Sequence, residues 1–139
     1  MVKPDPSGRP YFILNVILTG VILTIMGYSF FYSPDEEKYP VPCVHQAITG
    51  EPCPSCGLSH AFSLIVRGRI DEALQWNSQS IRVFLFFVVQ LFMRIGLGAW
   101  TIVTARGLKQ ITVADATVSS AMTLVAFYPF MRSLWLTLF

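Results

Sequence analysis

The sequence predicts an all-α integral membrane protein with about three transmembrane helices, and three observations predict it. Of the 139 residues, 53% are hydrophobic and 13% charged, roughly half the charged share of an ordinary soluble domain, and the mean hydropathy is +0.55. Three separate segments are apolar over a bilayer's thickness, at about 11–32, 81–105 and 111–134. Between the first and second lies a Pro- and Gly-rich loop, 34–79, that carries all three cysteines. No internal repeat or low-complexity tract divides the chain, so residues 1–139 read as one membrane domain. A net charge of +2 with no Lys/Arg-rich run sets nucleic acid aside as a partner. The bilayer itself is the first partner expected.

The first span, Tyr11–Tyr32, runs 22 residues without a charge, which at about 1.5 Å per residue crosses a hydrocarbon core of about 30 Å. It is longer than the apolar region of a signal peptide and no small-residue cleavage site follows it, so it reads as a retained anchor. Tyr28, Phe30, Phe31 and Tyr32 mark one interface, and Pro34 is expected to end the helix. The second span is interrupted by Arg94, whose guanidinium costs at least about 2.5 kcal/mol at mid-depth and should therefore face protein, water or a lipid headgroup reached by snorkelling. Gly96 and Gly98 beside it offer a smooth surface for close helix approach. In the third span Asp115 comes early, Pro129 and Arg132 late, and Thr117, Ser119, Ser120 and Thr123 line its first half. So polar a helix is expected to pack against protein. Arg106, Gly107 and Lys109 form a short turn that makes spans two and three antiparallel neighbours. Asp115 is then the natural partner for Arg94, although its expected depth of about 6 Å against about 15 Å for Arg94 leaves a long gap for a direct ion pair.

In the loop, Pro40 to Gly57 reads PVPCVHQAITGEPCPSCG, an irregular turn system. In the stretch that follows, Leu58, Ala61, Phe62 and Ile65 recur at helical spacing, Gly68 interrupts, and Ile70, Ala73 and Leu74 resume the pattern up to Trp76. This predicts two short amphipathic helices lying at the membrane interface, with Ser59 as the first N-cap and His60 in the first turn.

Three chemistries are open to the cysteines. Cys53 and Cys56, at x2 spacing, with Cys43 and either His60 or His45, make a tetrahedral zinc set, so zinc is the candidate cofactor. Cys53-Pro-Ser-Cys56 ahead of a helix also has the form of a redox dithiol, although no alternation of strands and helices surrounds it. Alternatively the thiols or a disulfide simply fix the turn, with Gly57 allowing a tight backbone. No Ser/His/Asp grouping, phosphate loop or haem motif accompanies them. Asp71 and Glu72, beside Arg67 and Arg69, read as a solvated or headgroup-facing surface.

The pattern Cys43, Thr49-Gly50-x-Pro52-Cys53-Pro54-x-Cys56-Gly57, Ala61, Gly68, Ala73-Leu74-x-x-Asn77 resembles a family of bacterial integral-membrane domains of unknown function. Where that family has Thr-Arg this chain has Ser59-His60, and Ser78 stands where the family has Pro. The resemblance implies a membrane location and a structured cysteine loop, and it brings no activity with it.

Two functions follow as expectations. In one, the chain is a non-enzymatic subunit that docks on a larger membrane or envelope complex, with Arg94 and Asp115 as structural or interaction residues and other membrane subunits as partners. In the other, it is a thiol- or metal-dependent membrane enzyme acting on lipid or protein thiols. Lys3 and Arg9 flank span one and Arg106 and Lys109 the second turn, against Lys38, Arg67, Arg69 and Arg82 on the opposite side. The compact basic flanks favour a cytoplasmic N-terminus in a bacterial inner membrane, with the cysteine loop outside the cytoplasm.

Overall fold

A computed structural model describes residues 8–34, 50, 55–103 and 107–138. Within them the chain forms five helices: α1 (Arg9–Phe31), α2 (Leu58–Val66), α3 (Ile70–Trp76), α4 (Ser80–Val103) and α5 (Leu108–Leu138). Three of these are long and apolar enough to cross a membrane, over Arg9–Phe31, Ser80–Val103 and Leu108–Arg132. The protein is therefore a helical integral membrane protein. Pro10 sits in the first turn of α1, where its missing N–H costs nothing. The helix ends at Phe31, before Pro34, because Tyr32 turns to an extended backbone. α5 starts at Leu108, three residues earlier than the apolar run at Ile111 suggests, directly after Gly107 at φ +75°.

The closest packing is between α1 and α4. Gly98 makes it so: a Cβ there would stand 3.6 Å from that of Asn15, so the two backbones approach at van der Waals distance. Gly96 faces outward with nothing near it, and only one of the two glycines serves as a contact. The polar third helix is the least covered of the three within the chain. Its exposed threonines do not need protein partners, since the hydroxyls of Thr117 and Thr123 donate to the carbonyls of Val113 and Ser119 one turn back, at 2.9 and 2.8 Å. A threonine satisfied by its own helix tolerates hydrocarbon.

α2 and α3 form a small lid over one end of the bundle. The break between them is at Gly68, whose φ of +77° is costly for any side chain with a Cβ. Ala61 and Ala73 are fully buried against Leu64 where the two short helices meet. Phe62 drops into the bundle, edge-on to Phe84 and Phe87 of α4 at 5.4 and 5.9 Å between ring centres. Such edge-to-face contacts add to plain area burial. Helix α2 is capped by Gly57 in the left-handed conformation and begins at Leu58, so Ser59 lies inside the first turn and is not the N-cap.

Candidate functional site

Two polar constructions stand out. The first is in the membrane. Arg94 projects from α4 about 14 Å from the Val103 end by helical rise, and Asp115 lies about 11 Å into α5 because that helix begins early. The depths nearly coincide, and the gap expected from sequence closes. Arg94 is 4% exposed and Asp115 7%, and they pair in the fork geometry that guanidinium and carboxylate share. Arg94 Nη1 donates to Asp115 Oδ2 at 2.8 Å and to Asn15 Oδ1 at 3.1 Å. Nη2 donates to Asp115 Oδ1 and, at 2.8 Å, to the Ser119 hydroxyl. Tyr11 of α1 donates its phenol to Asp115 Oδ2 at 2.8 Å, and Ser119 donates to Oδ1 at 3.1 Å. Asn15 is held in place by its own Nδ2, which donates to the Tyr11 carbonyl at 2.8 Å.

One ion pair thus ties all three spanning helices together. Its charges cancel, so the cluster is a neutral joint in hydrocarbon and not a bare charge. Two donors remain without a partner among the described residues: Arg94 Nε and Gln90 Nε2, one turn apart on α4. They border a cleft of about 410 Å³ between α1, α4 and α5, lined also by Leu18, Val21, Phe86 and Phe87.

The second construction is the lid. Arg67, which sequence reads as a solvated charge, reaches the C-terminal end of α1: Nη1 donates to the Ser29 carbonyl at 3.2 Å and Nη2 to that of Phe30 at 3.0 Å. Ser63, itself bonded to Arg67 Nη1 at 2.6 Å, donates to the carbonyl of Tyr32. A cation placed on the orphan carbonyls of a helix end is favoured by hydrogen bonding and by the helix dipole. Arg69 and Glu72 form an exposed pair on the outer surface, at 2.6 Å, of the kind that contributes little.

Of the predicted metal set, Cys43, Cys53 and His45 lie outside the described residues. Cys56 is half-buried in the turn before α2, and its carbonyl accepts from Asn77 Nδ2 at 3.0 Å. His60 stacks on Trp76, ring centres 4.2 Å apart. Among the described residues no three His, Cys, Asp or Glu side chains gather as a metal site would require. Gly57 has φ +75°, and a Cβ on it would meet the Trp76 carbonyl at 2.9 Å. Asn77 closes the arrangement by accepting from the Gln79 N–H at 2.9 Å as α4 begins. The end of the cysteine motif is therefore a clasp in which Cys56-Gly57 is locked onto Trp76-Asn77.

Sequence reasoning missed Tyr11, Asn15, Gln90 and Arg67 as parts of these constructions. A signal existed for Asn15, the one carboxamide in an otherwise charge-free span. None existed for Arg67, whose role depends on where α1 ends.

A small helical integral membrane protein with an intramembrane ion-pair joint and a clasp between Cys56-Gly57 and Trp76-Asn77 is the class these features define. Residues 43–91 match the family model described as a protein of unknown function (DUF2752). The matched stretch takes in the cysteine loop, the lid and the first half of α4, and it stops short of Arg94. No curated protein and no solved structure matches the chain.

Proposed function

We propose that this protein is a non-enzymatic membrane subunit that docks onto a larger membrane or envelope complex through its spanning helices and cysteine loop. The observation that carries the reading is on α5, the helix least covered within the chain. Ala114, Thr117 and Ala121 recur at i, i+3 and i+7, so they form one stripe, and all three are exposed. Helices in a bilayer associate where small residues let backbones approach, since lipid gives no hydrophobic drive between them. The small size of the described lid is consistent with this reading: it consists of two helices of nine and seven residues, packed on α1 and α4.

In this reading the N-terminus is cytoplasmic in a bacterial inner membrane and the clasped loop lies on the opposite side, available to a partner's extramembrane part. The test is copurification of the tagged chain from gently solubilised membranes. A defined complex that is lost in Ala121→Trp but kept in Phe92→Leu, on the exposed face of α4, supports the subunit. A clean monomer in all three refutes it. The alternative, a thiol- or metal-dependent enzyme, rests on Cys53-Pro-Ser-Cys56 standing just ahead of α2. Replacing Cys53 and Cys56 with Ser separates the two: a subunit loses assembly or abundance, whereas an enzyme stays assembled and loses turnover.

A further inference from the structure

We infer that the cleft between α1 and α5, with Gln90 at its back, binds a bilayer-borne neutral molecule that offers a carbonyl oxygen on an apolar body, with a lipophilic quinone as the occupant the geometry fits best. Gln90 is the reason. It is 7% exposed, deep in a spanning helix, and its Nε2 is enclosed without a hydrogen-bond partner among the described residues. A carboxamide left unpaired in hydrocarbon is costly, and a leucine there would avoid the cost. The side chain borders the cleft of about 410 Å³, within the range of small-molecule sites.

The walls select the body of the ligand. Phe86 and Phe87 stand behind, and Leu18 and Val21, 37% and 51% exposed, stand at the mouth, where the cleft opens to lipid. Charge selects its head. Arg94 at the inner end is matched in charge by Asp115, so although its Nε is still without a partner among the described residues, the cleft has no net charge to offer an anion. A half-turn of the Gln90 amide exchanges its NH2 and C=O, so the same residue donates to a quinone carbonyl or accepts from the hydroxyl of the reduced form. Depth distinguishes the source. Gln90 lies about 15 Å from the Ser80 end of α4 and about 20 Å from the Val103 end. Phospholipid ester carbonyls lie at the edges of a hydrocarbon core of about 30 Å, whereas a quinone head travels within it.

The test uses the full chain in lipid nanodiscs with a tritiated decyl-benzoquinone. We expect saturable binding at one molecule per chain, weakened about tenfold in Gln90→Leu, the equivalent of about one hydrogen bond. Binding should be abolished in Leu18→Trp, which puts an indole at the mouth of the cleft and leaves Gln90 in the sequence. The midpoint of unfolding of each variant, measured alongside, establishes that it is folded; should Gln90→Leu fail to fold, Leu18→Trp carries the decision alone. Competition by an excess of diacylglycerol assigns the carbonyl to an acyl ester, and failure to compete assigns it to the quinone; either supports the site. Non-saturable partitioning, or full-strength binding by a folded Gln90→Leu or Leu18→Trp, overturns the inference.

Discussion

Removing Asp115 should damage this protein more than removing its partner. Arg94 makes four hydrogen bonds, two of them to Asp115. Asp115→Leu deletes both, along with the acceptor used by Tyr11 and one used by Ser119. It leaves a guanidinium at 4% exposure with only Asn15 and Ser119 to bond. Breaking a buried pair from one side costs about 3 to 5 kcal/mol, and the upper half of that range applies here because a guanidinium cannot shed its charge. Arg94→Leu leaves a carboxyl group, which can take up a proton and keep its bond from Tyr11 as a neutral acid, so the loss should be about 1 to 3 kcal/mol. The double variant removes both charges, which is often neutral or stabilising by itself, but it leaves the buried Tyr11 phenol and Asn15 carboxamide oxygen without the partners they now have. It should therefore lie between wild type and Asp115→Leu. The assay is reversible unfolding in mixed micelles against the mole fraction of dodecyl sulfate, read by helix signal and Trp fluorescence. An Asp115→Leu loss below about 1 kcal/mol, or an Arg94→Leu loss as large as that of Asp115→Leu, would refute the argument that a buried charge sets the energetics of the joint.

Gly57→Ala is expected to lower stability by about 2 to 4 kcal/mol, since it adds positive-φ strain to a collision with the Trp76 carbonyl; the same micelle titration measures it, and a change under about 0.5 kcal/mol counts against the clasp. Asn77→Ala removes the bond to the Cys56 carbonyl and the cap on Gln79, for a loss of about 1 to 2 kcal/mol. Arg67→Leu should free the last turn of α1, seen as faster amide exchange over 28–32 with the Arg94 region unchanged; equal exchange in both proteins would mean that α1 holds its end without the guanidinium.

Much of the architecture was legible because hydrocarbon imposes a simple rule. A segment that crosses a bilayer must be long, apolar and internally hydrogen-bonded, and composition alone reveals Arg9–Phe31, Ser80–Val103 and Leu108–Arg132 to within a few residues. The break at Gly68 was equally plain, because helical periodicity stops there and glycine is suited to positive φ. Arg94 and Asp115 announced themselves as charges where charge is expensive.

What the sequence could not supply was register. Whether Asp115 meets Arg94 directly depends on a helix start three residues earlier than the apolar run, because each residue shifts depth by about 1.5 Å and side-chain bonds tolerate little error. The roles of Arg67 and Gly57 depend on which carbonyls lie opposite them, Ser29 and Phe30 in one case and Trp76 in the other, and chain distance carries no trace of either contact. The polar hydroxyls of α5 are ambiguous in sequence for a related reason. A threonine has the same composition whether it bonds a neighbour or its own helix, and only the tertiary structure shows Thr117 and Thr123 turned back on their own backbone.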